Sequence, residues 1–82
     1  MSIIRGRMTT AVGVDAVFAA NGRIQVRRIE LEGRWLPVEQ GRHWLDEAGL
    51  HLLVMVNGRV REIYLSPDTL SWHIVPARHN VV

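Results

Sequence analysis

Four histidines, eight carboxylates and a few hydroxyls are the groups in this chain that could support acid–base, nucleophilic or metal chemistry. His43 and His51 flank an acidic loop holding Asp46 and Glu47, the one place where potential metal ligands gather. A zinc or nickel site needs several such donors on a common centre, and neither His-x-His nor His-x₃-His spacing occurs. A metal is therefore not expected. Of the hydroxyls, Ser2, Thr9, Thr10, Ser66, Thr69, Ser71 and Tyr64, none lies in a glycine-flanked nucleophile elbow, and there is no cysteine. Glu30 and Glu32 share one strand face, where solvation explains them. No glycine-rich phosphate loop is present. The chain reads as a non-enzyme with no cofactor and no small-molecule substrate.

What remains is cationic and aromatic. All ten basic residues are arginine and none is lysine, for a net charge of +2. Arginine suits bidentate contact with phosphate better than lysine does, although a coding bias explains the same count. With so small a net charge, distribution must decide. Trp44 and Trp72 are expected in the core or capping a barrel end. Trp35 has the parity opposite to Leu36 and Val38, so it either stands on the outer face or lies in a second core. Exposed beside Arg34, it would form a stacking platform for bases or a hot spot for a protein.

The elements that must position these groups are strands. Leu50 to Leu65 holds two apolar runs joined by Asn57-Gly58, the strongest short hairpin signal, because a type I′ turn needs positive φ at both centres. Apolar residues of both parities in the first run imply a strand covered on both sides. Upstream, Val12, Val14, Ala16 and Phe18 alternate over a strand from about Thr10 to Ala20, followed by a second two-residue turn at Asn21-Gly22. In the strand from Arg23 to Leu31 the apolar parity switches from Ile24 and Val26 to Ile29 and Leu31. A strand with one buried face cannot do this without an inserted residue, so a bulge or bend is expected at Arg27-Arg28.

Glu32-Gly33 makes the next turn. Pro37 places the third strand at an edge or bulge, and Gly41 marks a kink before Trp44 or Leu45 turns back toward the core. Ser66 to Thr69 is a proline turn, and Leu70, Trp72 and Ile74 alternate in a sixth strand ended by Pro76. The fold class is all-β: a six-stranded antiparallel meander over residues 10–76, curled into a small SH3-like barrel or roll. Residues 1–9 read as a flexible arm, in which Ile3 and Ile4 could pair on an edge, and 77–82 as a tail. At this length a chain buries only about 60% of its unfolded surface, which makes self-association a natural supplement.

In a meander, successive turns alternate between the two ends of the sheet. One end then collects Asp46, Glu47 and Asp68 with Arg23 and Arg42. The other collects Arg5, Arg7, Arg34, Arg59, Arg61 and Arg78 against Glu30, Glu32 and Glu62. A basic pole formed by Arg34, Arg59, Arg61, Arg5 and Arg7, with Trp35, is the expected nucleic-acid or partner site, each phosphate contact adding about 0.7–0.9 to the salt slope. The alternative is a protein-interaction or homo-oligomerisation domain with no nucleic-acid role. The start of the chain mimics a signal peptide, but Asp15 interrupts its apolar run, so a cytoplasmic protein without membrane contact is expected.

Residues 29–45, IELEGRWLPVEQGRHWL, resemble a family of small bacterial β domains whose pattern is two alternating aromatics, Gly-Arg, an alternating apolar pair and a later Trp. Gly33, Arg34, Leu36, Val38 and Trp44 match, as do the strand from Gly58 to Leu65 and Trp72, so the resemblance spans Val14 to Val75. Ile29 and Leu31 stand where aromatics are usual, and Gly41 where an aliphatic is usual. Members of that family look like accessory domains beside or appended to Y-family (translesion) polymerase-like proteins. The resemblance implies a DNA-associated role, with DNA or a DNA-processing protein as partner, and brings no catalytic residues with it.

Overall fold

The structure, a computed structural model, describes residues 2–4 and 7–76, with side chains from Thr9 to Pro76. All regular structure among them is strand: β1 (Ser2–Ile4), β2 (Arg7–Phe18), β3 (Ile24–Leu31), β4 (Arg34–Pro37), β5 (Glu39–Asp46), β6 (Gly49–Val56), β7 (Arg59–Leu65) and β8 (Trp72–Ile74). None of the described residues forms a helix long and apolar enough to cross a membrane.

The hairpin β6–β7 is the spine. Asn57 and Gly58 both take positive φ, 50° and 76°, as a type I′ turn requires, and every residue from Leu50 to Val56 has a partner on β7. Inward on β6 point Leu52, Val54 and Val56, which pack with Ile24, Val26, Ile29, Ile63 and Ile74 as the core. Their odd-numbered neighbours point to the other face.

The parity switch in β3 is a bulge. Arg28 pairs with Asp15 and Val26 with Ala16, which leaves Arg27 opposite nothing on β2. That extra residue keeps both Val26 and Ile29 inside. A second irregularity at Gly41-Arg42, opposite Leu53, bends β5 where a kink was expected. A Cβ on Gly41 would come within 3.3 Å of the Leu53 carbonyl, so a larger residue there would push the strands apart by a few tenths of an ångström.

The strands run in the order β4-β3-β2-β8-β7-β6-β5, all antiparallel, with β1 paired to the start of β2. Because β4 and β5 are consecutive, with only Val38 between them, the two ends of this path are one bent strand. The sheet therefore curls into a half-barrel. Gln40 stitches the seam: its Oε1 accepts from the Val26 amide at 2.8 Å, and its Nε2 donates to the Ile24 carbonyl at 3.1 Å. Those are the two bonds a neighbouring strand would have made. The Val38 amide adds a third link, to the Arg27 carbonyl.

Several expectations need correction. The path has seven strands rather than six, because Pro37 and Val38 break the third expected strand into β4, paired to β3, and β5, paired to β6. The edge pairing allowed for Ile3 and Ile4 is present, by contrast: Ser2–Ile4 pair with Arg7–Thr9. The turn at Asn21-Gly22 is wider than two residues: Gly22 N–H donates to Ala19 O and Ala19 N–H to Arg23 O, with only Gly22 at positive φ. That is a type I turn closed by a glycine bulge. Leu70 lies outside β8, at φ 56° in the preceding turn.

Candidate functional site

A row of polar and aromatic groups crosses the outer face, where no motif pointed. Trp44 pairs with His51, His51 with Tyr64 and Tyr64 with His73 across four successive strands. Cross-strand partners share a face, so the four rings form a ladder. Their centroids are 5.1, 5.6 and 5.2 Å apart and their planes lie within 24° of parallel. The Arg42 guanidinium lies 5.1 Å from the Trp44 ring and extends the row. Trp44, expected in the core or capping a barrel end, thus stacks in the ladder, while Trp72 packs against the core.

His51 has no exposed surface. Its Nε2 is 2.7 Å from Asp46 Oδ1 and its Nδ1 3.0 Å from Glu62 Oε2. The gathering of His51 and Asp46 suspected from the sequence is real, but it is a set of hydrogen bonds. His43 is exposed on β5 and lines a cleft beside the seam instead.

At the other end of the ladder, His73 Nε2 is 2.8 Å from Ser71 Oγ, which lies 2.6 Å from Thr69 Oγ1, and His73 Nδ1 is 3.4 Å from Thr9 Oγ1. Burial pushes the His73 imidazole below its usual range, so at neutral pH one ring nitrogen accepts and the other donates. Ser71 belongs to the turn into β8, closed by Ser66 N–H to Ser71 O and Leu70 N–H to Ser66 O. The hydroxyl chain pins that turn to β8.

Trp35 stands on the outer face of β4, opposite Glu30, and is 46% exposed. It is not a free stacking surface. Its Cη2 lies over Gly13, 3.1 Å from where a Cβ would be, and the Arg28 guanidinium sits 5.4 Å from its ring centroid while bonding Asp15 at 3.1 Å. The glycine leaves room on β2 for a large ring from two strands away.

Strand directions sort the remaining charges into two ends. β2, β5 and β7 finish at one end, with the turns 19–23, 47–48 and 66–71. β3 and β6 finish at the other, with the turns 32–33 and 57–58. Arg34 and Arg59 are both exposed at this second end, each the first residue of its strand and opposite inward-facing Leu31 and Val56. Arg7 begins β2 at the same end, with its side chain outside the described residues, as are Arg5 and Arg78 altogether.

Arg61 departs from the expected set. It faces inward opposite Val54 and is half-buried. Its Nη2 donates to the Val75 carbonyl at 3.1 Å, and its Nε is buried without a partner among the described residues. Trp35 is on the outer face, one of the two positions the sequence allowed, but Arg34 beside it faces inward, so the two do not share a surface. The end opposite the arginines carries a feature that sequence reasoning missed: Phe18, Leu45 and Leu70, each more than half exposed.

No protein-family model matches the chain, and no curated protein or solved structure matches it either. The functional reading rests on the chain's own geometry.

Proposed function

We propose that the chain is a non-enzymatic accessory module that contacts a nucleic-acid backbone through the arginine end of the half-barrel. What supports the reading is the placement of Arg34 and Arg59, from turns 25 residues apart in sequence, at the end of the sheet where β2 also begins with Arg7. Guanidinium groups at the rim of a small barrel can bond phosphate oxygens bidentately without reading bases, which gives weak, salt-sensitive, sequence-tolerant binding. Arg61, tied to Val75, supports the rim rather than touching the ligand. Trp35 is left out of the contact surface, because Arg28 and Gly13 occupy its ring.

Fluorescence anisotropy with labelled single- and double-stranded DNA at two salt concentrations tests this. Binding should weaken as salt rises, and Arg34→Ala and Arg59→Ala should each lower the salt slope by about 0.7–0.9. Absence of binding at low salt, or binding that ignores both substitutions, would overturn the reading. A second reading, a protein-interaction domain with no nucleic-acid role, is favoured by the exposed apolar side chains at the opposite end.

A further inference from the structure

We infer that the cleft beside the seam is a docking slot for an extended acidic peptide, which takes over from Gln40 its two bonds to β3 and adds a strand there. This goes beyond the nucleic-acid reading and is independent of it, since neither Arg34 nor Arg59 lines the cleft.

The slot lies where the sheet fails to close. β3 pairs with β2 from Ile24 to Glu30, but with β4 only from Arg28 to Leu31. Past the bond from the Val38 amide to the Arg27 carbonyl, the β4 side of Ile24 to Val26 has no strand beside it among the described residues. β5 is the last strand of the path and pairs with β6 alone. Residues of both strands, Ile24 and Gln25 on one wall and Gln40, Gly41 and His43 on the other, line one cleft of about 790 Å³. That volume is within the usual range of ligand sites, about 300–1,000 Å³. An open edge is a template for pairing unless proline, charge or a covering segment blocks it. β5 runs from Glu39 to Asp46 without a proline, and Gly41 puts bare backbone into the wall.

The bonds of Gln40 identify the occupant. Ile24 O and Val26 N–H offer an acceptor and a donor two residues apart on one side of a strand, a pattern that an extended chain answers with an N–H and a C=O. In the free protein the Gln40 side chain answers it with the same groups, Nε2 donating at 3.1 Å and Oε1 accepting at 2.8 Å. When a backbone replaces that amide, the bonds are exchanged rather than lost. A phosphate does not fit, because its oxygens only accept and would leave Ile24 O without a donor.

Charge narrows the class of peptide. Arg23 is exposed at the cleft and His43 stands on its β5 wall, while no carboxylate lines it. The complement is a segment carrying aspartate or glutamate. In strand addition the main-chain bonds supply affinity and the adjacent side chains supply specificity, which here is the role of Arg23.

Random octapeptides displayed on phage and selected against the immobilised full chain supply the probe, and fluorescence anisotropy of the enriched peptide measures its binding. Enriched sequences should carry acidic residues among β-branched ones. Arg23→Glu, at an exposed turn position, should weaken binding about tenfold. Methylating a central amide nitrogen of the peptide, which leaves the protein untouched, should abolish binding by removing a strand donor. Gln40→Ala should lower the melting temperature yet tighten binding about tenfold, because the peptide no longer has to displace the amide. A glutamine that only holds the seam would give the first effect without the second. The proposal is overturned by a selection that enriches no peptide, whether or not the chain sediments as a dimer, or only peptides without acids. It is equally overturned by a peptide indifferent to N-methylation and to Arg23→Glu, by Gln40→Ala leaving affinity unchanged, or by a peptide that oligothymidylate displaces.

Discussion

Among the described residues, one fully buried histidine is hydrogen-bonded at both ring nitrogens to carboxylates. His51 joins β5 to β7 through Asp46 and Glu62, and its ring is sandwiched between Trp44 and Tyr64. Replacing it with phenylalanine keeps the stacking but removes both hydrogen bonds to the partly buried carboxylates, a loss of about 1–3 kcal/mol in urea unfolding. A cost below about 1 kcal/mol would mean that the bonds do little. His73 behaves differently. Its folded-state affinity for a proton is lowered by burial, so below the unfolded value of about 6.5 the unfolded chain binds the proton that the fold refuses. Stability contributed by neutral His73 is therefore present above that pH and lost as pH falls. His73→Gln should flatten this part of the melting curve between neutral and mildly acidic pH; an unchanged pH profile would refute it. The ladder was partly legible in the sequence. A two-residue turn at Asn57-Gly58 pairs Val56 with Arg59, and counting outward from that pair sets His51 opposite Tyr64. Considered one at a time, without that register, the histidines pointed only to isolated surface or core positions.

At the scale of elements, alternation and turn chemistry carried most of the fold. The parity change between Val26 and Ile29 identified the bulge at Arg27 because only an inserted residue keeps both side chains inside. Asn57-Gly58 and Glu32-Gly33 located two hairpins because both central residues take positive φ. Asn21-Gly22 misled because Ala19 and Arg23, not the flanking pair, close that turn. The seam had no local signal at all. A glutamine whose side chain replaces a missing strand looks, in one dimension, like any polar residue at a kink. Gln40→Leu removes both of its bonds and leaves the Ile24 carbonyl and Val26 amide unpaired, at a cost of about 1–3 kcal/mol. Amide hydrogen exchange at Val26 should accelerate more than the global loss of stability explains. Exchange at Val26 that merely tracks global unfolding would show that the seam is held elsewhere.

For the whole molecule, pairing in chain order is what separates one end from the other. β2 to β7 follow one another around the sheet, and β8 closes the circuit between β7 and β2 through only three residues on each side. Their sequence separation hid that closure, whereas the alternation of turns between two ends followed from antiparallel pairing alone. The outcome is a half-barrel with Arg34 and Arg59 at one end and Phe18, Leu45 and Leu70 at the other, a division between ends that gives each its own chemistry. The most direct measurement is an amide chemical-shift map of the full chain titrated with a short oligothymidylate at low salt. The account predicts saturable shifts around Glu32–Arg34 and Asn57–Arg59, reversed by added salt, with Phe18, Leu45 and Leu70 unmoved. Shifts centred on the apolar end, or none anywhere, would contradict it.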